Sequence, residues 1–229
     1  MSTIPAILPD ISKSSCASQT ISDPHFDPRT IEATDRLLSL SHREEGLALY
    51  EYVRRTSGSV LEIGTYCGYL ALFLAYGMKN REWFRRQGTE VFTIDTHMGH
   101  DDLRIRRDRG QPATFGRFVE NCKQHNVWDI VHPIIDDADG AHALWRWGRC
   151  LDLLFIDGDH AHAKRDFRNY IPFLKPEGFV CFHNYFWECP QVIADVDELV
   201  AAGTIEPLER IHTMFIARVN HDPFRLPRL

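Results

Sequence analysis

No uninterrupted apolar run in this 229-residue chain approaches the roughly 18 residues a membrane-spanning helix needs, and its first residues lack the basic-then-apolar pattern of a secretion signal. Both absences lead to the expectation of a cytoplasmic protein with no membrane partner. Positive charge is also scarce. The 26 Lys and Arg residues against 32 Asp and Glu leave a net charge of −6, which argues against nucleic acid as a partner, because phosphate binding needs a basic face. The six cysteines, Cys16, Cys67, Cys122, Cys150, Cys181 and Cys189, form no C-x-x-C pair and read as reduced, mostly packed thiols. Two phosphate-binding signatures are missing as well: there is no G-x-G-x-x-G and no Lys-Ser/Thr phosphate loop. The expected ligand therefore carries little or no phosphate.

What is present is a set of apolar runs that stop at polar residues. Val60–Ile63 ends at Gly64, Val91–Ile94 at Asp95, Leu151–Ile156 at Asp157, and Phe179–Phe182 at His183 and Asn184. Between them the apolar spacing changes from two to three and four. The pattern predicts strands over Ser59–Ile63, Glu90–Ile94, Ile130–Ile135, Leu151–Ile156 and Phe179–Phe182, with weaker ones near Glu209–His212 and Met214–Val219. Helices are expected over Ile31–Leu40, Arg43–Arg55, Tyr69–Met78, Thr114–His125, Gly140–Trp147, Ala163–Phe173 and Gln191–Ala202. Such alternation defines an α/β fold with a doubly wound, mostly parallel seven-stranded sheet. Residues 1–40 are expected as an N-terminal arm with a lid helix, and residues 41–229 as the α/β domain. The arm is long enough to exchange between two copies, but nothing in the sequence demands it, so monomer and homodimer both stay open. The polar, charged stretch His97–Pro112 follows the second strand and reads either as a functional rim loop or as a solvated connection.

Parallel sheets bind ligands where their strands end. Gly64 and Gly68 flank a strand-to-helix turn where a missing side chain lets backbone approach a ligand. Asp95 is placed to accept hydrogen bonds from a ribose diol, or else to cap the next helix. A carboxylate at Glu62, amid Val60, Leu61 and Ile63, needs a donor, and a ligand ammonium is one candidate. Tyr185, Phe186 and Trp187 would form an apolar wall at the same rim or fill the core; Trp145 and Trp147 read as packing.

These residues resemble a known family. The run LEIGTYCGY (61–69) resembles the first motif of class I S-adenosylmethionine-dependent methyltransferases, in particular the catechol O-methyltransferase-like, metal-dependent group. LDLLFIDGDH (151–160) and FVCFHNYFWECP (179–190) resemble that group's metal-bearing fourth and fifth strand ends. The stretch from Ile156 to Tyr185 is similar to a bacterial branch found in natural-product pathways. The resemblance implies a Rossmann-like fold, S-adenosylmethionine as cofactor, and methyl transfer to a hydroxyl of a small molecule with a divalent metal assisting. It places Glu62, Gly64, Tyr66 and Gly68 at the methionine part of the cofactor, Asp95 at its ribose with Thr96 beside it, and Asp137 in the Asp136–Asp139 segment by the adenine. Asp157, His183 and Asn184 would be the metal ligands, with Asp157 also at the cofactor and in catalysis. His160 falls where catechol-type enzymes place a lysine general base.

The departures are His160, His183 and Asn184. An imidazole at His160 is a suitable base near neutral pH, or else a further metal ligand, in which case the base would be His162, His183 or a metal-activated substrate oxygen. In the ligand set an imidazole disfavours magnesium and favours zinc, manganese, iron or nickel, and loss of the metal is the other outcome. A cofactor-binding protein without methyl transfer, or a hydroxylase-like or cyclising enzyme on the same fold, are the alternatives.

Overall fold

The computed structural model describes residues 24–33, 39, 41–81, 89–98, 114–146 and 151–220. In chain order the elements are α1 (Arg43–Arg54), β1 (Ser59–Ile63), α2 (Tyr69–Lys79), β2 (Val91–Ile94), α3 (Phe115–Gln124), β3 (Val131–Ile134) and α4 (Ala138–Leu144). There follow β4 (Leu151–Ile156), α5 (Ala163–Tyr170), β5 (Leu174–Phe182), α6 (Pro190–Ala201), β6 (Ile205–Ile211) and β7 (Met214–Val219). Two short 3-10 helices, Pro24–Phe26 and Pro28–Thr30, precede α1.

The seven strands form one sheet in the order β3-β2-β1-β4-β5-β7-β6. The pairs from β3 through β5 are all parallel, and β7 alone runs against the other six strands, antiparallel to both β5 and β6. Side chains alternate between faces with period two. Val60, Leu153, Phe155 and Cys181 face a core shared with α1, α2 and α3. Leu61, Ile63, Leu154, Ile156 and Phe182 face a second core shared with α4, α5 and α6. Both faces are covered, which is why the central strands are apolar throughout.

Most of the expected elements are present. The helix expected over Ile31–Leu40 is not found in its first residues: Ile31 is extended and buried, and residues 34–38 and 40 lie outside the described residues, as do residues 1–23, 99–113 and 147–150. Helix α4 starts two residues earlier than expected because the Asp137 carboxylate caps it, accepting from the Gly140 N–H at 2.8 Å. Pro172 tightens the end of α5 into a 3-10 turn over Ile171–Phe173. Strand β5 begins at Leu174 rather than Phe179: Glu177 takes a positive φ of 62°, and the pairing with β4 shifts register before resuming at Leu153↔Phe179. Strand β6 likewise begins earlier, at Ile205.

Register is what builds the site. Ile63 pairs with both Ile94 and Ile156, and Ile156 pairs with Phe182. One residue further on, Gly64, Asp95, Asp157 and His183 therefore stand in one row at the carboxyl rim. The ladder continues through them, with the Asp157 N–H donating to Ile63 O at 2.8 Å and the His183 N–H to Ile156 O at 3.0 Å. The chain reverses its direction of strand addition between β1 and β4, so this row straddles the switch point of the sheet.

Candidate active site

The turn from β1 into α2 is compact and glycine-dependent. Gly64 and Gly68 have φ of 92° and 89°, and Tyr66 has 53°. The Gly68 N–H closes the turn on Thr65 O at 2.8 Å, and Gly68 opens α2. Asp95 holds this turn to the end of β2: one carboxylate oxygen accepts from the Tyr66 N–H at 2.6 Å, the other from the His97 N–H at 2.6 Å. Each oxygen keeps a further acceptor direction. Thr96, beside Asp95, is exposed, and its hydroxyl accepts from the Met98 N–H at 3.4 Å.

Glu62 points to the α1–α3 face and is 1% exposed. Among the described residues its donor is the Thr65 hydroxyl, at 2.8 Å. Burial, reinforced by the nearby Asp157 and Asp95 charges and only partly offset by Thr65, pushes its carboxyl up to about 8. A neutral Glu62 beside two ionised aspartates is suited to receive a cation, which would restore its charge.

His183 lies between two carboxylates. Its Nδ1 is 2.9 Å from Asp157 Oδ1 and 2.7 Å from Asn184 Oδ1, and Asn184 folds back onto the ring because its φ is 58°. Its Nε2 is 3.0 Å from Oε2 of Glu45, a fully buried residue of α1. Glu45 is heavily donated to: Oε1 accepts from the Thr213 N–H at 2.9 Å and hydroxyl at 2.8 Å, and Oε2 from the His42 N–H at 2.8 Å. Burial disfavours the Glu45 anion, but His183 and these donors together bring its carboxyl down to about 2. Burial also disfavours a charged His183, yet Asp157 and Glu45 outweigh it and push the ring up to about 11. The arrangement is built to hold positive charge.

Whether that charge is a proton or a divalent ion can be tested on geometry. Neighbouring ligands of one ion bound at about 2.1 Å stand about 3 Å apart. The 2.7 Å and 2.9 Å separations of His183 Nδ1 from Asn184 Oδ1 and Asp157 Oδ1 match that spacing and are equally hydrogen-bond lengths, so they accommodate either an ion or an Nδ1–H. Glu45 occupies the place of the carboxylate that orients a metal-bound imidazole, and the donor types of the three expected residues fit a divalent ion. One carboxylate, one amide and one imidazole suit a transition metal better than magnesium. Elsewhere among the described residues, His42, Glu44 and His212 bring three ligand atoms within 4.8 Å of one another, all exposed.

Other expected residues have more ordinary surroundings. His160 is exposed on the turn after β4, with its Nδ1 3.6 Å from Cys189 Sγ; Cys189 in turn feels the charges of His183 and Asp157, which places His160 at this rim. Asp137 is exposed, lies three residues past the end of β3 as the N-cap of α4, and spends one carboxylate oxygen on that cap. Tyr185 fills space rather than lining a wall, packing on Phe215 with ring centroids 4.9 Å apart and donating to Asp197 at 2.7 Å. Trp187 is 79% exposed and remains available to a ligand. Trp145 is core, as expected, against Phe92, Tyr170 and Phe173. A cleft of about 510 Å³ lies at the opposite, amino edge of the sheet, lined by Ser57, Arg81, Asp152 and Lys175 among others. Arg81 there donates to Val53 O and Gly58 O, and Asp152 pairs with Lys175.

Three residues of the site were not singled out from sequence: Glu45, Thr65 and Thr213. Glu45 had a signal. It shares the buried stripe of α1 with Leu49 and Val53 at four-residue spacing, and a carboxylate on an apolar stripe calls for a buried partner. His97, undecided from sequence, is buried; its Nδ1 meets Thr114 Oγ1 at 2.9 Å, and burial lowers its basicity.

The profile of a family described as Methyltransferase domain matches residues 61–185, from β1 through the turn after β5. The chain belongs to that family, and its sheet is the Rossmann-like sheet of class I methyltransferases. Among solved structures it is similar to the O-methyltransferase TomG from Streptomyces achromogenes in complex with SAM, at 16% identity and TM-score 0.61, over 84% of this chain and 92% of that one. It is similar to an O-methyltransferase from Bacillus cereus in complex with SAH, at 17% identity and TM-score 0.59, over 84% and 86% of the two chains. The SAH-bound methyltransferase PaMTH1 of Podospora anserina gives 19% identity and TM-score 0.61 over 86% of each. At these identities the likeness establishes the fold. An uncharacterized protein of Acanthamoeba polyphaga mimivirus is 30% identical over 100 residues, which is 40% of this chain and 41% of that relative.

Proposed function

We propose that the protein is an S-adenosylmethionine-dependent O-methyltransferase acting on a hydroxyl of a small molecule. The observation that carries this reading is the single row Gly64, Asp95, Asp157, His183 at the switch point, with a backbone turn on one side and a cation-holding cluster on the other. The cofactor's ammonium is suited to Glu62, its ribose to the free acceptor directions of Asp95, and its methionine part to the turn of Gly64, Tyr66 and Gly68. Thr96 and Asp137 extend the same rim toward the rest of the nucleoside. The SAM- and SAH-bound structures that share this fold support the cofactor assignment.

Asp157, His183 and Asn184 would hold a divalent ion, whose positive charge lowers the cost of ionising an acceptor hydroxyl. The chain's own residues do the rest. His160, reached from solvent at the rim, takes the acceptor's proton. Trp187 offers an apolar face to a ring-bearing acceptor. The rim holds acceptor and sulfonium in contact, the largest contribution to rate in a transfer that needs only in-line approach. Free thiols at Cys67, Cys122, Cys181 and Cys189 support a cytoplasmic setting. Among the described residues no helix is long and apolar enough to cross a membrane.

Incubation with labelled methyl donor and a panel of phenols, sugars and hydroxy acids tests the proposal. Label transferred to a hydroxyl supports it; cofactor binding without transfer to any acceptor class would favour a non-methylating protein on this fold.

A further inference from the structure

We propose that Glu45 is a positioning residue that fixes the tautomer of His183 and thereby sets the site's affinity for a divalent ion. The inference rests on the reading of Asp157, His183 and Asn184 as ligands, and adds a residue from outside both the strand ends and the family match, which begins at residue 61.

The argument starts from lone pairs. Glu45 Oε2 is 3.0 Å from His183 Nε2, and the carboxylate is held ionised by donors on both oxygens. An ionised carboxylate offers no proton, so Nε2 must carry the hydrogen of this contact. By the same rule Nδ1, 2.9 Å from Asp157 Oδ1 and 2.7 Å from Asn184 Oδ1, carries a hydrogen in the ion-free ring; when an ion displaces that proton, Glu45 keeps the remaining hydrogen on Nε2 and leaves the Nδ1 lone pair to the ion. Without Glu45 the ring is free to adopt the other tautomer, whose Nδ1–H would point at the ion.

Charge balance favours the same assignment. Two carboxylates, Glu45 and Asp157, flank the ring. A divalent ion with a neutral imidazole brings the cluster to zero, whereas a lone imidazolium leaves a net negative charge buried under α1, an expensive state at low dielectric. The anchoring is also more elaborate than a simple strut requires. Glu45 is 138 residues from His183 and 168 from Thr213 in sequence, and it joins α1, the end of β5 and the β6–β7 turn at one carboxylate.

The experiment measures metal affinity directly. Full-length protein carrying His212→Ala, which dismantles the exposed His42–Glu44–His212 group, is titrated with Mn²⁺ and Zn²⁺ by calorimetry, with and without Glu45→Gln. Glutamine keeps the size of the side chain but turns an amide donor toward Nε2, which drives the proton to Nδ1. The expected result is a 10–100-fold loss of metal affinity, on the order found when such orienting partners are removed, with S-adenosylhomocysteine affinity retained. Nitrogen-15 NMR of labelled histidine should show the Nε2–H tautomer at His183 in the zinc-bound parent and the Nδ1–H tautomer in Glu45→Gln. Unchanged metal affinity in Glu45→Gln overturns the role of Glu45 while leaving the metal reading intact. Absence of any binding in the His212→Ala parent overturns the metal reading itself, and this inference with it. If Glu45→Gln fails to fold, Thr213→Val, which removes one donor from Glu45, should show a smaller loss in the same direction; no loss there also overturns the proposal.

Discussion

Gly64 and the Asp157 backbone are in direct apposition: a Cβ added to Gly64 would stand 2.1 Å from the Asp157 carbonyl oxygen. Neither atom belongs to a flexible side chain, and Gly64 also has a φ of 92°. Replacement by alanine therefore has to move β1 away from β4 at the switch point, or distort the turn. Gly64→Ala is expected to cost more than about 1 kcal/mol of stability, the usual level for a residue with a Cβ forced to positive φ. It should also abolish cofactor binding in protein that remains folded. Chemical denaturation and calorimetry check both, and a variant with unaltered midpoint and affinity would contradict the tight apposition.

Asp95 holds the turn through the Tyr66 and His97 amides and, on the proposed reading, the cofactor ribose, and one substitution removes both. Asp95→Ala strips acceptors from the Tyr66 and His97 amides and from the proposed ribose contact, and should weaken cofactor binding by roughly 10–100-fold, the equivalent of about 1.4–2.8 kcal/mol. Asp95→Asn keeps one acceptor oxygen and should fall between the two. Calorimetric titration with S-adenosylmethionine decides, and undiminished affinity in Asp95→Ala would remove the residue from the ribose site.

Glu62 predicts a pH dependence. Its carboxyl is lifted by burial from an ordinary 4.5 to about 8, so the folded chain binds this proton more tightly than the unfolded chain does. Stability contributed by the neutral form is therefore lost progressively as pH rises from about 4.5 to about 8. Glu62→Gln, which is neutral throughout, should remove that component. Melting temperatures of cofactor-free protein between pH 5 and pH 8 should fall more for the parent than for the variant; parallel curves would show that Glu62 is ionised as soon as the chain folds.

His160→Ala should lower turnover by about 10²–10⁴-fold, the range for loss of a general base, with cofactor affinity kept. Cys189→Ala is the control, since it removes the thiol 3.6 Å from the ring without touching the imidazole. Near-normal turnover in His160→Ala assigns proton removal elsewhere, whereas equal losses in both variants would point to a shared structural role.

The strand ends were legible because burial on both faces forces apolar runs, and polarity returns only where the rim meets solvent. Gly64, Asp95, Asp157 and His183 could thus be named before their register was known. Parallel pairing with Ile63 aligned to both Ile94 and Ile156 then made four separate observations into one row. Glu45 is legible only in part: its place on the apolar stripe of α1 calls for a buried partner, but a helix-capping carboxylate and a partner to a histidine 138 residues away look alike until tertiary contacts are formed. Asn184 was legible as a polar strand end, but its backward turn depends on a positive φ that asparagine permits without announcing. The start of β5 differs from the expectation because Lys175-Pro176-Glu177-Gly178 has the composition of a loop, although the chain passes through it as an interruption of one strand.

The Thr213 donors on Glu45 give the carboxy-terminal hairpin more than an edge-sealing purpose. A chain cut before β6 would keep every strand of the parallel sheet and every residue of the family match, yet it would lose the peg on which the helix-borne carboxylate hangs. Loss of ion binding from such a shortened chain would then reflect an unlatched first helix rather than missing ligands.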